Sequence, residues 1–350
     1  MAQKIPATVI TGFLGSGKTT LIRHMLAHAN GKRIALIINE FGDLGVDGEI
    51  LKGCGDAACK DEDVVELSNG CICCTVAEDF IPTMQKLLDR SDPPDHIVIE
   101  TSGLALPQPL ISAFNWPEIS TRVTVDGVVT VVDGRATADG QFAHDVAAVS
   151  AQRSADDTLD HETPLSELFE DQIAAADMIV VNKTDLLSGK EAATLTTDLK
   201  NDARDGVQVI ATAMGRLPVD VLLGIDAGAE SDMAGRHAPH HHHDDDADDH
   251  HHDHEHDDFE SFAVSLGEIA DPGAFSENLA DVIRAHSILR LKGFAAVSGK
   301  PMRLTLQAVG PRVDSYFDRP FTHDEPRETR LVVIGAAGLD RAAITAALQA

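Results

Sequence analysis

The sequence predicts an α/β protein whose mostly parallel sheet is flanked by helices, followed by a small C-terminal α+β domain. Three observations carry this. Short apolar runs alternate with helical segments over the first 225 residues, the pattern of a parallel sheet covered on both faces. A glycine loop, Gly12-Phe-Leu-Gly15-Ser-Gly17-Lys18-Thr19, joins the first such run to the first helical segment. A His/Asp-rich run at 237–258 then breaks the composition, and strand and helix patterns resume beyond it.

Taken in order, 8–11 is a β-branched run and 19–29 reads as a helix. The apolar IALII within 33–39 is a buried strand, and 41–63 is rich in Gly and Asp. A short strand at 64–67, a helix at 77–90 and the strand HIVIE at 96–100 follow. Strands at 123–133, 178–182 and 207–211 complete this set. Beyond the break come a strand at 259–266, a helix at 272–285, a hairpin of 287–297 with 302–309 across 298–301, a strand at 330–335 and a helix at 339–348. The expected domains are 1–225, a disordered linker at 226–258, and 259–350.

At 43% hydrophobic residues the 350-residue chain can bury a core, and at 4% aromatic that core must be aliphatic. Its 28 basic and 57 acidic residues leave a net charge of −29. That argues against a nucleic-acid backbone or an anionic membrane as partner, since both need a basic face. The N-terminus MAQKIPATVITGF runs straight into the glycine loop without a signal-peptide pattern. No apolar run approaches the roughly 18 residues of a membrane span. The expected location is cytoplasmic. The oligomeric state is not legible.

The glycine loop fits G-x-x-x-x-G-K-[ST] at every fixed position, with a strand before it and a helix after it. Its glycines (Gly12, Gly15, Gly17) let backbone N–H groups turn inward around phosphate, and the helix N-terminus adds its positive dipole end. Ser16 and Thr20 belong to the same cradle. Lys18 would reach the β- and γ-phosphates, and Thr19 would bind Mg²⁺. Asn182-Lys183-Thr184-Asp185 follows a core strand. The carboxylate of Asp185 can accept from guanine N1–H and the exocyclic amine, a donor pair adenine does not offer, so the expected nucleotide is GTP. A further base-contacting loop is expected at 209–215, VIATAMG, but its match is poor. Glu100-Thr-Ser-Gly103 ends the strand HIVIE. There Glu100 would hold Mg²⁺ through water and Gly103 would donate its N–H to the γ-phosphate.

All five cysteines (Cys54, Cys59, Cys71, Cys73 and Cys74) lie between 54 and 74. In a reducing compartment such clusters read as metal ligands or redox groups. Two of the Cys71-x-Cys73-Cys74 thiols plus an outside donor can fill a tetrahedral site. Glu40, in Asn39-Glu40-Phe41-Gly42, and a water are the expected outside donors. Mixed sulfur and oxygen donors suit Co²⁺ or Zn²⁺ better than Mg²⁺ or Ca²⁺. A redox pair and plain packing are the rival readings. Cys54 and Cys59 form either a second thiol pair or a loop with incidental thiols.

In chain order, TGFLGSGKTTL, NEFG, the NGCICC run, ETSG and NKTD resemble the CobW-like family of P-loop GTPases, which are metallochaperones. The likeness covers about 6–223, and ILRLKG at 288–293 resembles the family's C-terminal domain. The family implies a GTPase whose nucleotide state controls a metal site. By residue match, Cys73, Cys74 and Glu40 would be the closest ligands, with Cys71 supporting. Segments 42–59 and 104–119 resemble the branch associated with the aerobic cobalamin pathway. The implied cargo is then Co²⁺ and the implied client a cobaltochelatase; Zn²⁺ with another metalloenzyme client is the alternative. Metal storage or sensing with incidental GTP turnover is a third reading.

The run at 237–258 holds ten of the 17 histidines and nine acidic residues. It reads as a loose metal reservoir or as an inert solvated linker. His24 and His28, spaced i, i+4 on the first helix, read as a solvated face or a metal pair.

Overall fold

The computed structural model describes residues 4–29, 31–38, 64–66, 80–155, 164–225, 227–233, 236, 259–323 and 325–349. The chain divides into two compact units, Met1–Glu255 and His256–Ala350.

The first unit holds a seven-stranded sheet built from β1 (Ile5–Thr11), β2 (Ile34–Ile38), β3 (Val64–Glu66), β4 (His96–Glu100), β5 (Val123–Asp133), β6 (Met178–Asn182) and β7 (Gln208–Ala211). The strand order is β3-β2-β4-β1-β5-β6-β7, and every pairing is parallel. Every residue of β2, β4 and β6 is buried, which is why these strands read as unbroken apolar runs. Apolar side chains fill the space between sheet and helices: Met84, Leu87 and Phe114 with β1, β2 and β4, and Ile173, Leu195 and Leu199 with β5 and β6.

One register fact matters for function. Ile10 of β1 pairs with Glu100 of β4, Glu100 with Ile38 of β2, and Ile38 with Glu66 of β3. The C-terminal ends of four strands therefore form one row.

After β7 the chain stays on this unit. Asp126, at an irregularity in the β1–β5 pairing, accepts from the Gly224 amide at 2.6 Å and from Thr8 Oγ1 at 3.2 Å. Glu230 accepts from Thr124 Oγ1 at 2.6 Å and from the Val125 amide at 2.9 Å. Arg236, 1% exposed, donates to Asp177 at 2.7 and 3.0 Å and to the Ala175 carbonyl at 2.6 Å. The expected first domain stopped at 225. Two buried polar anchors beyond that point, Glu230 and Arg236, carry it to Arg236, and composition gives little sign of them. The rest of the expected linker, 237–258, lies outside the described residues.

The second unit is an antiparallel sheet, β11-β10-β9-β12-β8, of β8 (Phe259–Leu266), β9 (Ile288–Ala296), β10 (Met302–Val309), β11 (Arg312–Pro320) and β12 (Thr329–Ala336). Leu279, Val282 and Ile283 of helix Pro272–Ala285 and Ile344 and Leu348 of helix Arg341–Gln349 pack with Leu291, Leu306 and Val333 of the sheet. The expected α+β domain is present, and the expected hairpin is the β9–β10 pair. Strand β11 was not expected. Among the described residues it pairs only with β10, at the sheet edge, and shows a mostly exposed pattern, so RVDSYFDRP lacks a buried stripe.

Candidate nucleotide site

The loop after β1 turns on backbone geometry that glycine alone adopts without strain. Gly12 has φ 133°, Gly15 77° and Gly17 103°. A Cβ on Gly12 would lie 2.1 Å from the Val131 carbonyl oxygen, and one on Gly17 would lie 2.1 Å from Asn182 Nδ2. The loop is thus pressed against β5 on one side and the end of β6 on the other. Helix α1 (Lys18–Ala27) starts immediately beyond Gly17, leaving its first amides directed at the loop.

Lys18, 7% exposed, folds back across this loop. Its Nζ donates to the carbonyls of Gly12 at 2.8 Å and Phe13 at 3.3 Å. A phosphate would offer that ammonium a charged acceptor in place of two neutral ones. Thr19 Oγ1 donates to Glu100 Oε1 at 3.3 Å, and Glu100 is 5% exposed. A hydroxyl and a carboxylate meeting beside a phosphate cradle fit Mg²⁺, a hard cation that takes oxygen ligands.

The segment after Glu100 packs on the same loop. A Cβ on Gly103 would lie 2.6 Å from the Leu14 amide nitrogen. Gln172 Nε2 donates to the Gly103 and Ala105 carbonyls, both at 3.2 Å. Gln172 was not singled out in the sequence; nothing local marks it.

Asn182 bridges two loops. Its Nδ2 donates to the Ser16 carbonyl at 2.9 Å, and its Oδ1 accepts from the Gly215 amide at 3.0 Å. Lys183 takes a left-handed conformation, φ 61°, and its Nζ donates to Asp133 Oδ2 at 2.6 Å. Asp133 ends β5, is 2% exposed, and also accepts from the Ala136 amide at 3.1 Å. An acid closing an 11-residue apolar strand was the available signal for it. Asp185 lies exposed in the turn Thr184–Leu186. The weak motif at 209–215 proves to be Asn182's partner. A Cβ on Gly215 would lie 2.8 Å from Leu21 Cα, so this loop closes against α1.

The structure therefore brings Gly12, Gly15, Ser16, Gly17, Lys18, Thr19, Glu100, Gly103 and Asn182 together. Thr20 continues α1. Glu40, Cys54, Cys59, Cys71, Cys73 and Cys74 lie outside the described residues. Among the described residues no group of three or more His, Cys, Asp or Glu could hold a metal ion, and no helix is long and apolar enough to cross a membrane.

Residues 6–211 match the family described as CobW/HypB/UreG, nucleotide-binding domain. Residues 259–350 match the cobalamin synthesis protein cobW C-terminal domain. A protein of Sinorhizobium sp named zinc chaperone CobW is 58% identical over 99% of this chain and 97% of its own length. One of the same name from Pseudomonas aeruginosa is 51% identical over 99% and 91%. The zinc chaperone YjiA of Escherichia coli is 31% identical over 95% and 94%. The chain belongs to the CobW/HypB/UreG family.

Proposed function

We propose that this CobW/HypB/UreG family member is a GTP-hydrolysing metallochaperone of the cytoplasm. Its cargo is a thiophilic divalent ion held by Glu40, Cys73 and Cys74, with Cys71 in support. The family match and the names of its relatives support metal carriage, and those names put Zn²⁺ at least level with Co²⁺. If the cargo is Co²⁺, the client is the cobaltochelatase of aerobic cobalamin synthesis. If it is Zn²⁺, the client is another metalloenzyme.

The observation that carries this reading is the row Ile10–Glu100–Ile38–Glu66. The phosphate loop begins two residues after Ile10, Glu40 comes two after Ile38, and Cys71 comes five after Glu66. The phosphate-binding and metal-binding segments thus leave the sheet from one row of strand ends, the edge at which parallel α/β sheets bind ligands.

In the reaction, Lys18 and the loop amides hold the β- and γ-phosphates, and Thr19 and Glu100 form the Mg²⁺ seat. Mg²⁺ bound there supplies charge neutralisation at the transferring phosphoryl group. Gly103 donates its N–H to the γ-phosphate. Asn182 fixes the loop through Ser16, Lys183 is steered by Asp133, and Asp185 selects guanine. GTP strengthens the hold of Glu40, Cys73 and Cys74 on the ion, and hydrolysis weakens it, as loss of a γ-phosphate releases other switch segments.

Anaerobic competition for Co²⁺ and Zn²⁺, with Mg²⁺–GTP and then Mg²⁺–GDP, tests this. Tight binding with GTP that weakens with GDP and is lost when Cys73 and Cys74 become Ser is the expected result. Affinity alone favours Zn²⁺ over Co²⁺ at such a site, so the ion whose affinity differs most between the GTP and GDP states names the cargo. Equal affinity in both nucleotide states would sink the coupling.

A further inference from the structure

We infer that His24 and His28 form an accessory two-imidazole site for a borderline first-row divalent cation, separate from the thiol segment. His24 lies in the last turn of α1 and His28 caps its C-terminal end, a turn apart, with ring centroids 4.2 Å apart and planes at 25°. The rings are stacked rather than convergent, so one ion at about 2.0–2.1 Å from a nitrogen of each would bridge them once the His24 ring swings out of the stack, with His28 keeping its backbone contact.

The tautomer of one ring is settled by its neighbour. His28 Nδ1 lies 2.8 Å from the His24 carbonyl oxygen. A carbonyl only accepts, so the proton sits on Nδ1. In the neutral ring this leaves the Nε2 lone pair for a ligand. Metal-binding histidines are commonly oriented this way, the second ring nitrogen donating to a backbone carbonyl. His24 is held below the ordinary histidine pKa by burial first, then by His28 and Arg216, against a hydrogen bond to the Leu217 backbone that pulls the other way. It is therefore neutral near pH 7, the form that coordinates a metal. His28 is exposed, and His24 is half-buried with its Nδ1 shielded from solvent, so an ion would reach the pair from the His28 side.

Imidazole pairs favour Cu²⁺, Ni²⁺, Zn²⁺ and Co²⁺, and reject Mg²⁺ and Ca²⁺. Among the described residues no third acidic, Cys or His side chain completes the set, so water fills the remaining positions. Two protein ligands beside the Arg216 cation make this a weak, fast-exchanging site. It would hold an ion without competing with a thiolate set. The pair stands at the C-terminal end of the helix whose first turn carries Lys18 and Thr19.

The test is carbethoxylation of the full-length protein with residue-resolved peptide mapping, in buffered free Zn²⁺, then Ni²⁺, then Mg²⁺. Modification at both positions should slow by the same factor, about twofold when free Zn²⁺ equals the Kd and about tenfold at ten times the Kd. His286 and His323 of the other unit serve as references and should not change. Replacing His28→Gln should remove the protection of His24, and His24→Gln that of His28. Unchanged rates into the millimolar range of Zn²⁺ and Ni²⁺ would overturn the proposal. So would protection that survives in either single variant, or equal protection by Mg²⁺.

Discussion

The sheet of the nucleotide-binding unit buries polar side chains of a kind that the sheet of the C-terminal unit keeps near its surface. Lys18, His96, Glu100, Asp126, Asp133, Asp177, Asn182 and Arg236 are all under 9% exposed in the first. Among the described residues of the second, only Arg290 and Thr329 are buried polar groups. There the ion pairs Arg303–Asp318, Arg319–Glu325 and Arg341–Glu260 are partly open to water. The charge divides as well. Residues 259–350 carry eleven acidic and ten basic residues in a chain of net charge −29. Burying a polar group costs free energy unless a partner satisfies it. A unit that keeps so many inside has committed its structure to positioning them. A unit that keeps them outside rests mainly on its apolar face, and its charges tune it from the rim.

This contrast is testable because the chain has one Trp and one Tyr, and Trp116 lies in the first unit and Tyr316 in the second. The largest effect belongs to the phosphate loop. Replacing Lys18→Ala should lower GTP turnover, followed by phosphate release, about 10²–10³-fold, with the Tyr316 unfolding transition unmoved. Next is the buried ion pair. Arg236→Met leaves the Asp177 carboxylate with Arg204 as its remaining cation and should cost about 3 kcal/mol in the Trp116 transition. A matching shift at Tyr316 would break the contrast, since the two units would then unfold as one.

A similar loss is expected on the other side from a purely apolar change. Leu306 is fully buried in the second core. Leu306→Ala should cost about 3 kcal/mol in the Tyr316 transition and leave GTP turnover unaltered. The smallest effect is one of pH. The Arg319 guanidinium beside Glu325 depresses that carboxyl to about 2. A depressed carboxylate stabilises the fold above its unfolded value of about 4.3, and that contribution is lost as pH falls toward 2. The Tyr316 transition should therefore weaken between about pH 5 and pH 2, and Glu325→Gln should flatten part of that slope.

How legible each unit was follows from the same contrast. Strands buried on both faces announced themselves: His96–Glu100, Val123–Asp133 and Met178–Asn182 were bounded to the residue from the sequence. So were Phe259–Leu266 and Met302–Val309. The edge strand Arg312–Pro320 was missed, because its pairing is backbone to backbone and its side chains face water. The glycines of the loop after β1 were readable because positive φ and close backbone approach demand glycine at fixed spacing. Gly215 was undervalued, since what makes it matter is a contact with Leu21 and Asn182, far away in sequence. Asp133, Gln172 and Arg236 act through partners 50 to 69 residues distant, and local pattern carries no trace of such pairings.

Arg236 also has a mechanical meaning. The ten-histidine run begins at the next residue, so any pull on that run reaches the folded unit first at the guanidinium clamped to Asp177. From there the force enters β6, a strand bonded along its length to β5 and β7. Such a strand resists by shear, with several hydrogen bonds sharing the tension at once. Asn182, which braces the phosphate loop, stands at the far end, about 17 Å on at roughly 3.3 Å per residue. A pull on the histidines would thus be met at Asp177 and along β6 before it reached Asn182.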